Sequence, residues 1–197
     1  MGRVSAYLLA LMEAMASQAW NFYLNMAASL SLTVTFFCLQ GIPANLDWLW
    51  ILAGFLAWGP FEYMTHRWFF HSPSSPSHKG HGLHHRSPLS LLAVPFFFSS
   101  VVGLVLYQSL TSFLPGRPVS LFLSGMALGY FYYGLIHHTL HHSLLVQRVF
   151  AHLYRHHELH HRFPRFNFGV STTYLDRFFG TRITEETRPD FTAFAKR

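Results

Sequence analysis

Long apolar runs alternate with short polar breaks along this chain. The first run covers about residues 21–40 and stops at a turn containing Gly41, Pro43 and Asn45. The second covers about 47–65 and continues as helix to His71, where Pro73 and Pro76 end it. The third covers about 89–114, with Pro95 as an internal kink, and the Pro115-Gly116-Arg117-Pro118 turn follows. The fourth covers about 119–138. A bilayer crossing takes ~20 apolar residues. The pattern therefore predicts an all-α, integral-membrane bundle of four transmembrane helices in a single domain spanning residues 1–197. The remaining chain, 66–88 and 137–181, is polar and rich in histidine and forms a cap at one end. Met1 to Trp20 reads as an amphipathic helix leading into the first span.

Composition agrees with a membrane setting. Of the 197 residues, 51% are hydrophobic, 18% aromatic (21 Phe) and only 11% charged, against about 25% charged in soluble domains. The net charge of +6 belongs to no recognition helix or nucleic-acid motif, so nucleic acid is not an expected partner. Lys and Arg number 14. With four spans, all of them except Arg117 fall on the side of the histidines, which the positive-inside rule places in the cytoplasm. Cys38 lies in an apolar run and reads as a small buried side chain.

Ten of the 15 histidines fall in four clusters. They are His66 and His71; His81, His84 and His85; His137 and His141; and His157, His160 and His161. Threading four spans puts all four clusters on one membrane face. On a helix, positions i+3 and i+4 flank position i, so each triplet is expected to converge three imidazoles. His137 and His141 share a face. His66 and His71, five apart, diverge by about 140° on an ideal helix; either they serve different ions or the helix loosens near His71. Ten imidazoles exceed what one transition ion takes, and two ions with about five or slightly fewer each fit the number. Imidazole suits Fe, Zn, Cu and Ni. Only eight carboxylates are present, which excludes a carboxylate-rich bundle of the Glu-x-x-His kind. Glu62, Glu158 and Asp176 read as acceptors for an imidazole N–H or a nearby arginine. His78, His138, His142, His152 and His156 stand outside the repeated spacing.

These residues resemble a known family. Glu62-Tyr63 before His66 to His71, His81 to His85 followed by Pro88, Tyr133 to His142, and His157 to His161 are similar to the four histidine boxes of the fatty acid hydroxylase and sterol desaturase superfamily. Phe168 to Ser171 and Asp176 to Thr181 resemble the tail of its fatty acid 2-hydroxylase branch. The resemblance implies a non-haem di-iron membrane monooxygenase that hydroxylates a lipid acyl chain. By it, all ten clustered histidines ligate two iron ions, with zinc a substitute in isolated protein. It implies O2 as co-substrate, a membrane lipid as substrate, and an external ferredoxin- or cytochrome-type electron donor. Desaturation, or hydroxylation of a sterol or carotenoid, is the alternative within the same chemistry. A metal transporter would instead place its ligands deep within the spans, whereas these clusters sit at span ends.

Overall fold

A computed structural model describes residues 19–91 and 93–187. The expected amphipathic lead-in helix lies outside the described residues. Those described are helical or irregular, with no strand among them. The helices are α1 (Ala19–Cys38), α2 (Trp48–Met64), α3 (His78–Arg86), α4 (Phe96–Thr111), α5 (Gly116–His142), α6 (Leu144–Val149), α7 (Ala151–Arg162) and α8 (Tyr174–Phe178). A 3-10 turn (Asn45–Asp47) precedes α2, and a π-helical turn (Thr65–Phe70) follows it.

α5 is the axis of the molecule: α1, α2 and α4 all pack on it, and α4 also packs on α1. It is the one described helix long and apolar enough to cross a membrane by length and composition. α1 has 20 residues, α2 17 and α4 16. Small residues let α5 approach its neighbours. A Cβ on Gly125 would fall 2.0 Å from the Ile51 carbonyl oxygen, and one on Gly129 2.4 Å from Trp58 Cβ. α4 buries no residue, and Val101, Leu104 and Val105 stand exposed on it. Trp48, Leu49, Leu52 and Leu56 are likewise exposed on α2. These two helices thus present apolar surface outward, well beyond the scattered exposure of a soluble chain. Cys38 is exposed, not buried as expected, because it closes α1 on its outer face.

The third apolar run differs most from expectation. Helix begins only at Phe96, and Pro95 is its N-cap instead of an internal kink. Proline lacks an amide hydrogen and pushes the residue before it out of helical geometry. The irregular chain ahead of α4 is held by two buried asparagines of α1. Asn21 Nδ2 donates to the carbonyls of Ala93 and Val94 (both 3.1 Å), and its Oδ1 accepts the Phe96 amide (2.9 Å). Asn25 Nδ2 donates to Val94 O (2.9 Å), and Tyr130 donates its hydroxyl to Asn25 Oδ1 (2.7 Å). Backbone polar groups within an apolar bundle need partners of this sort.

At the opposite end from the histidines, Arg117 joins the two helical hairpins. It donates to Asp47 Oδ2 (2.6 and 2.9 Å) and to the Ile42 carbonyl (3.0 Å). From Arg117 to His141 along α5 is roughly 36 Å at 1.5 Å per residue.

Candidate metal centre

The ten clustered histidines come together, in two groups of five. His66, His71, His81, His85 and His160 form one; His84, His137, His141, His157 and His161 form the other. In each group one ring nitrogen per residue lies within 4.8 Å of all the others, so each group could hold a metal ion. The triplets do not each converge on one point, as the spacing alone suggested. The i, i+4 members of α3, His81 and His85, join the first group while His84 joins the second. α7 does the reverse: His157 and His161 enter the second group and His160 the first. A side chain at i+3 is offset to the other flank of position i, which is what sends it to the neighbouring group.

His66 and His71 end in the same group because the helix loosens. Over Thr65–Phe70 the backbone widens to a π turn, and the His71 amide donates to His66 O at 3.3 Å. An i→i+5 turn returns the fifth residue to nearly the same face. His66 and His71 thus fall in one group and are not divided between the two.

Neighbouring Nε2 atoms are 3.0–3.3 Å apart in the first group (His66–His81 3.0, His71–His160 3.1, His71–His66 3.3). In the second they are 2.9–3.1 Å apart (His84–His137 2.9, His141–His157 3.0, His157–His161 3.1). Two of the rings have their tautomer set from outside. His66 Nδ1 donates to Phe168 O (2.5 Å) and His160 Nδ1 to Phe166 O (2.7 Å). These two rings, when neutral, therefore present a bare lone pair at Nε2 toward the other rings of their group. At a metal–nitrogen distance of about 2.1 Å, ligands at right angles are about 3.0 Å apart and tetrahedral ones about 3.4 Å. The observed edges are those of ligands that share one ion.

Burial, aided by neighbouring imidazoles, pushes His71 and His84 down to about 2 and His161 to about 3. These rings are neutral at physiological pH, which is the form that ligates.

Of the three acids, Asp176 and Glu158 accept from an imidazole and an arginine as expected, and Glu62 departs from expectation. Glu62 touches no imidazole. It accepts the amides of Val170 (2.7 Å) and Ser171 (3.0 Å) and the Ser171 hydroxyl. Asp176 does accept an imidazole, His156 Nε2 at 3.0 Å, but that ring lies outside both groups. It also accepts the Phe168 and Gly169 amides, both at 2.7 Å. Burial alone would raise its pKa; hydrogen bonds from His156, Thr181 and Gly169 outweigh that and hold it below the usual carboxylate range. Glu158 pairs with Arg162 at 2.6 Å on the surface. Two carboxylates thus brace the segment whose carbonyls orient His66 and His160.

Asn167, outside every histidine cluster, also holds this segment. It is fully buried at φ 55°, accepts the Ile183 amide (2.7 Å), and donates to the carbonyls of His156 (3.2 Å) and Ile183 (3.1 Å). A lone asparagine between Phe166 and Phe168 was the available signal, since asparagine tolerates the left-handed region. Tyr63, hydrogen-bonded to Thr181 at 2.8 Å, ties the end of α2 to the same tail.

The fatty acid hydroxylase family profile matches residues 51–181, which contain all ten histidines. The chain belongs to the fatty acid hydroxylase family. It is 35% identical over 148 residues to the rat (Rattus norvegicus) fatty acid 2-hydroxylase, covering 69% of this chain and 40% of that protein. It is 31% identical over 145 residues to the dihydroceramide fatty acyl 2-hydroxylase of Arabidopsis thaliana, covering 68% of this chain and 60% of the relative. The chain thus spans about half the length of the curated relatives it matches. A solved structure of full-length Scs7p, with only its hydroxylase domain visible, superposes with TM-score 0.70 at 23% identity, over 86% of this chain and 69% of that one. The fatty acid hydroxylase fold accordingly extends over nearly all the described residues.

Proposed function

We propose that this chain is an O2-dependent lipid hydroxylase whose ten histidines hold two iron ions. The observation that carries the reading is the pairing of two five-imidazole groups, with neighbouring ring nitrogens 2.9–3.3 Å apart. Bound iron would supply the oxidising power to insert oxygen into an unactivated C–H bond. The names of the relatives, fatty acid and dihydroceramide 2-hydroxylases, favour an acyl chain as substrate and C2 as the position. They also favour hydroxylation over desaturation.

The chain's own residues do the remaining work. π-turn, α3, α5 and α7 fix the rings, and the carbonyls of Phe166 and Phe168 set two of their tautomers. The outward apolar faces of α2 and α4 suit four membrane spans in one membrane-embedded unit, with the histidines beneath the cytoplasmic surface. Chain threading and the lone position of Arg117 at the far end support that topology. Electrons come from an external ferredoxin- or cytochrome-type donor.

The test is anaerobic purification with metal analysis, followed by lipid profiling of cells expressing wild type or His84→Ala. About two metal ions per chain are expected, with a 2-hydroxylated acyl lipid that disappears in the variant. Identical lipids in expressing and non-expressing cells would refute the reading.

A further inference from the structure

The two histidine groups differ in what stands behind them. In the first, two rings are tied through Nδ1 to backbone carbonyls, His66 to Phe168 O (2.5 Å) and His160 to Phe166 O (2.7 Å). In the second no ring is so tied among the described residues, and His157 and His161 Nδ1 are buried with no hydrogen-bond partner, as is His85 Nδ1 alone in the first. His84, His137 and His141 make ring-to-ring approaches but no ring-to-carbonyl hydrogen bond among the described residues.

The two carbonyls belong to one rigid segment. Asp176 accepts the Phe168 and Gly169 amides, the Thr181 hydroxyl (2.7 Å) and His156 Nε2. The Asn167 amide between the two carbonyls donates to Thr181 O at 2.9 Å. A Cβ on Gly169 would sit 1.9 Å from Thr172 O and 3.0 Å from Asp176 Oδ2, so only glycine lets the segment close on the carboxylate. Glu62 grips the next two residues from α2.

An anchored ring has its tautomer and orientation set before a metal arrives, and the donated Nδ1 hydrogen bond makes Nε2 more basic. A ring with no such partner must be oriented by the ion itself. We propose that the two groups are unequal: the His66, His71, His81, His85 and His160 group takes up its ion first and holds it tightly, the other group is the exchangeable one, and Asp176 is the positioning residue that sets the difference. This rests on the two-ion reading above.

The test uses metal-free protein in detergent, titrated anaerobically with Co2+ alone and followed by equilibrium dialysis and the cobalt visible bands. Two ions are expected to enter in two steps, separated by about tenfold or more in affinity. His71→Ala removes the tight step and leaves the weak one; His141→Ala does the reverse. Asp176→Asn weakens the tight step by about tenfold or more and leaves the weak step in place. If Asp176→Asn does not fold, Thr181→Val, which removes one of the four donors to that carboxylate, weakens the same step to a smaller extent. Two ions entering in a single step, a tight step that survives His71→Ala, or equal weakening of both steps on loosening Asp176 overturns the proposal. Uptake of fewer than two ions by wild type instead overturns the two-ion reading.

Discussion

Glu62 holds Ser171 twice, through its amide nitrogen at 3.0 Å and through its hydroxyl, across 109 residues of chain. With Val170 this makes three donors converging on one carboxylate 3% exposed. Glu62→Gln replaces an acceptor oxygen with an NH2 that faces donors. It is expected to lower stability by about 1–3 kcal/mol, the cost of unsatisfied buried groups. Ser171→Ala, which removes one donor, costs less, about 1 kcal/mol. Thermal unfolding in detergent reads both, and equal midpoints for wild type and Glu62→Gln would contradict the role given to this carboxylate.

The crossing of α2 and α5 leaves no room for side chains. A Cβ on Gly54 would fall 2.0 Å from Phe122 O, and one on Gly125 equally close to Ile51 O. Both clashes are with backbone, which cannot rotate away. Gly125→Val is expected to destabilise by about 1–3 kcal/mol or more, and the displaced α5 carries His137 and His141 with it. Metal analysis of that variant should therefore fall along with its unfolding midpoint. A folded variant with full metal content would show that the helices separate without disturbing the site.

The asparagine clamp on the irregular segment is open to a direct comparison. Asn21→Leu strands two backbone groups, the Ala93 carbonyl and the Phe96 amide, while Asn25→Leu strands one, the Tyr130 hydroxyl, and leaves Val94 O served by Asn21. The first substitution is thus expected to cost more, about 1–3 kcal/mol, and to speed proteolysis ahead of α4. The double variant should cost more than the sum, because only then does Val94 O lose both of its side-chain donors. Equal effects of the two single changes would argue against the clamp.

Chelation should loosen α3 before the rest of the cap. His84 is the only buried residue in that helix, so little apolar packing holds it. Its attachment comes through imidazoles, and a ligand that binds only the folded form stabilises it by mass action. Hydrogen exchange over residues 78–86 is expected to rise on metal removal while exchange in the α2–α5 crossing stays slow. Unchanged protection over 78–86 would mean that α3 is held by something other than its histidines.

Much of this was legible in the chain. Histidine spacing named all ten members of the two groups, and turn residues placed the breaks between the long helices. The allocation of rings was not legible, because i+3 and i+4 look equivalent in one dimension and separate only when a second helix stands opposite. His66 and His71 raised the right question, and the π turn that answers it depends on tertiary packing. The start of α4 was misplaced by seven residues since apolar composition does not distinguish helix from irregular chain; Pro95, and the matched polar pair Asn21 and Asn25, carried the missing information. Glu62 was marked as important by position, but its partner is backbone from a loop more than a hundred residues away, which no local pattern encodes.

α3 and α7 each lend rings to both groups. They work as two cross-struts, so neither pocket owns its scaffold. A slide of either helix would pull on both pockets in the same instant. Were both pockets to hold an ion, such bracing would tie the geometry of one to that of the other.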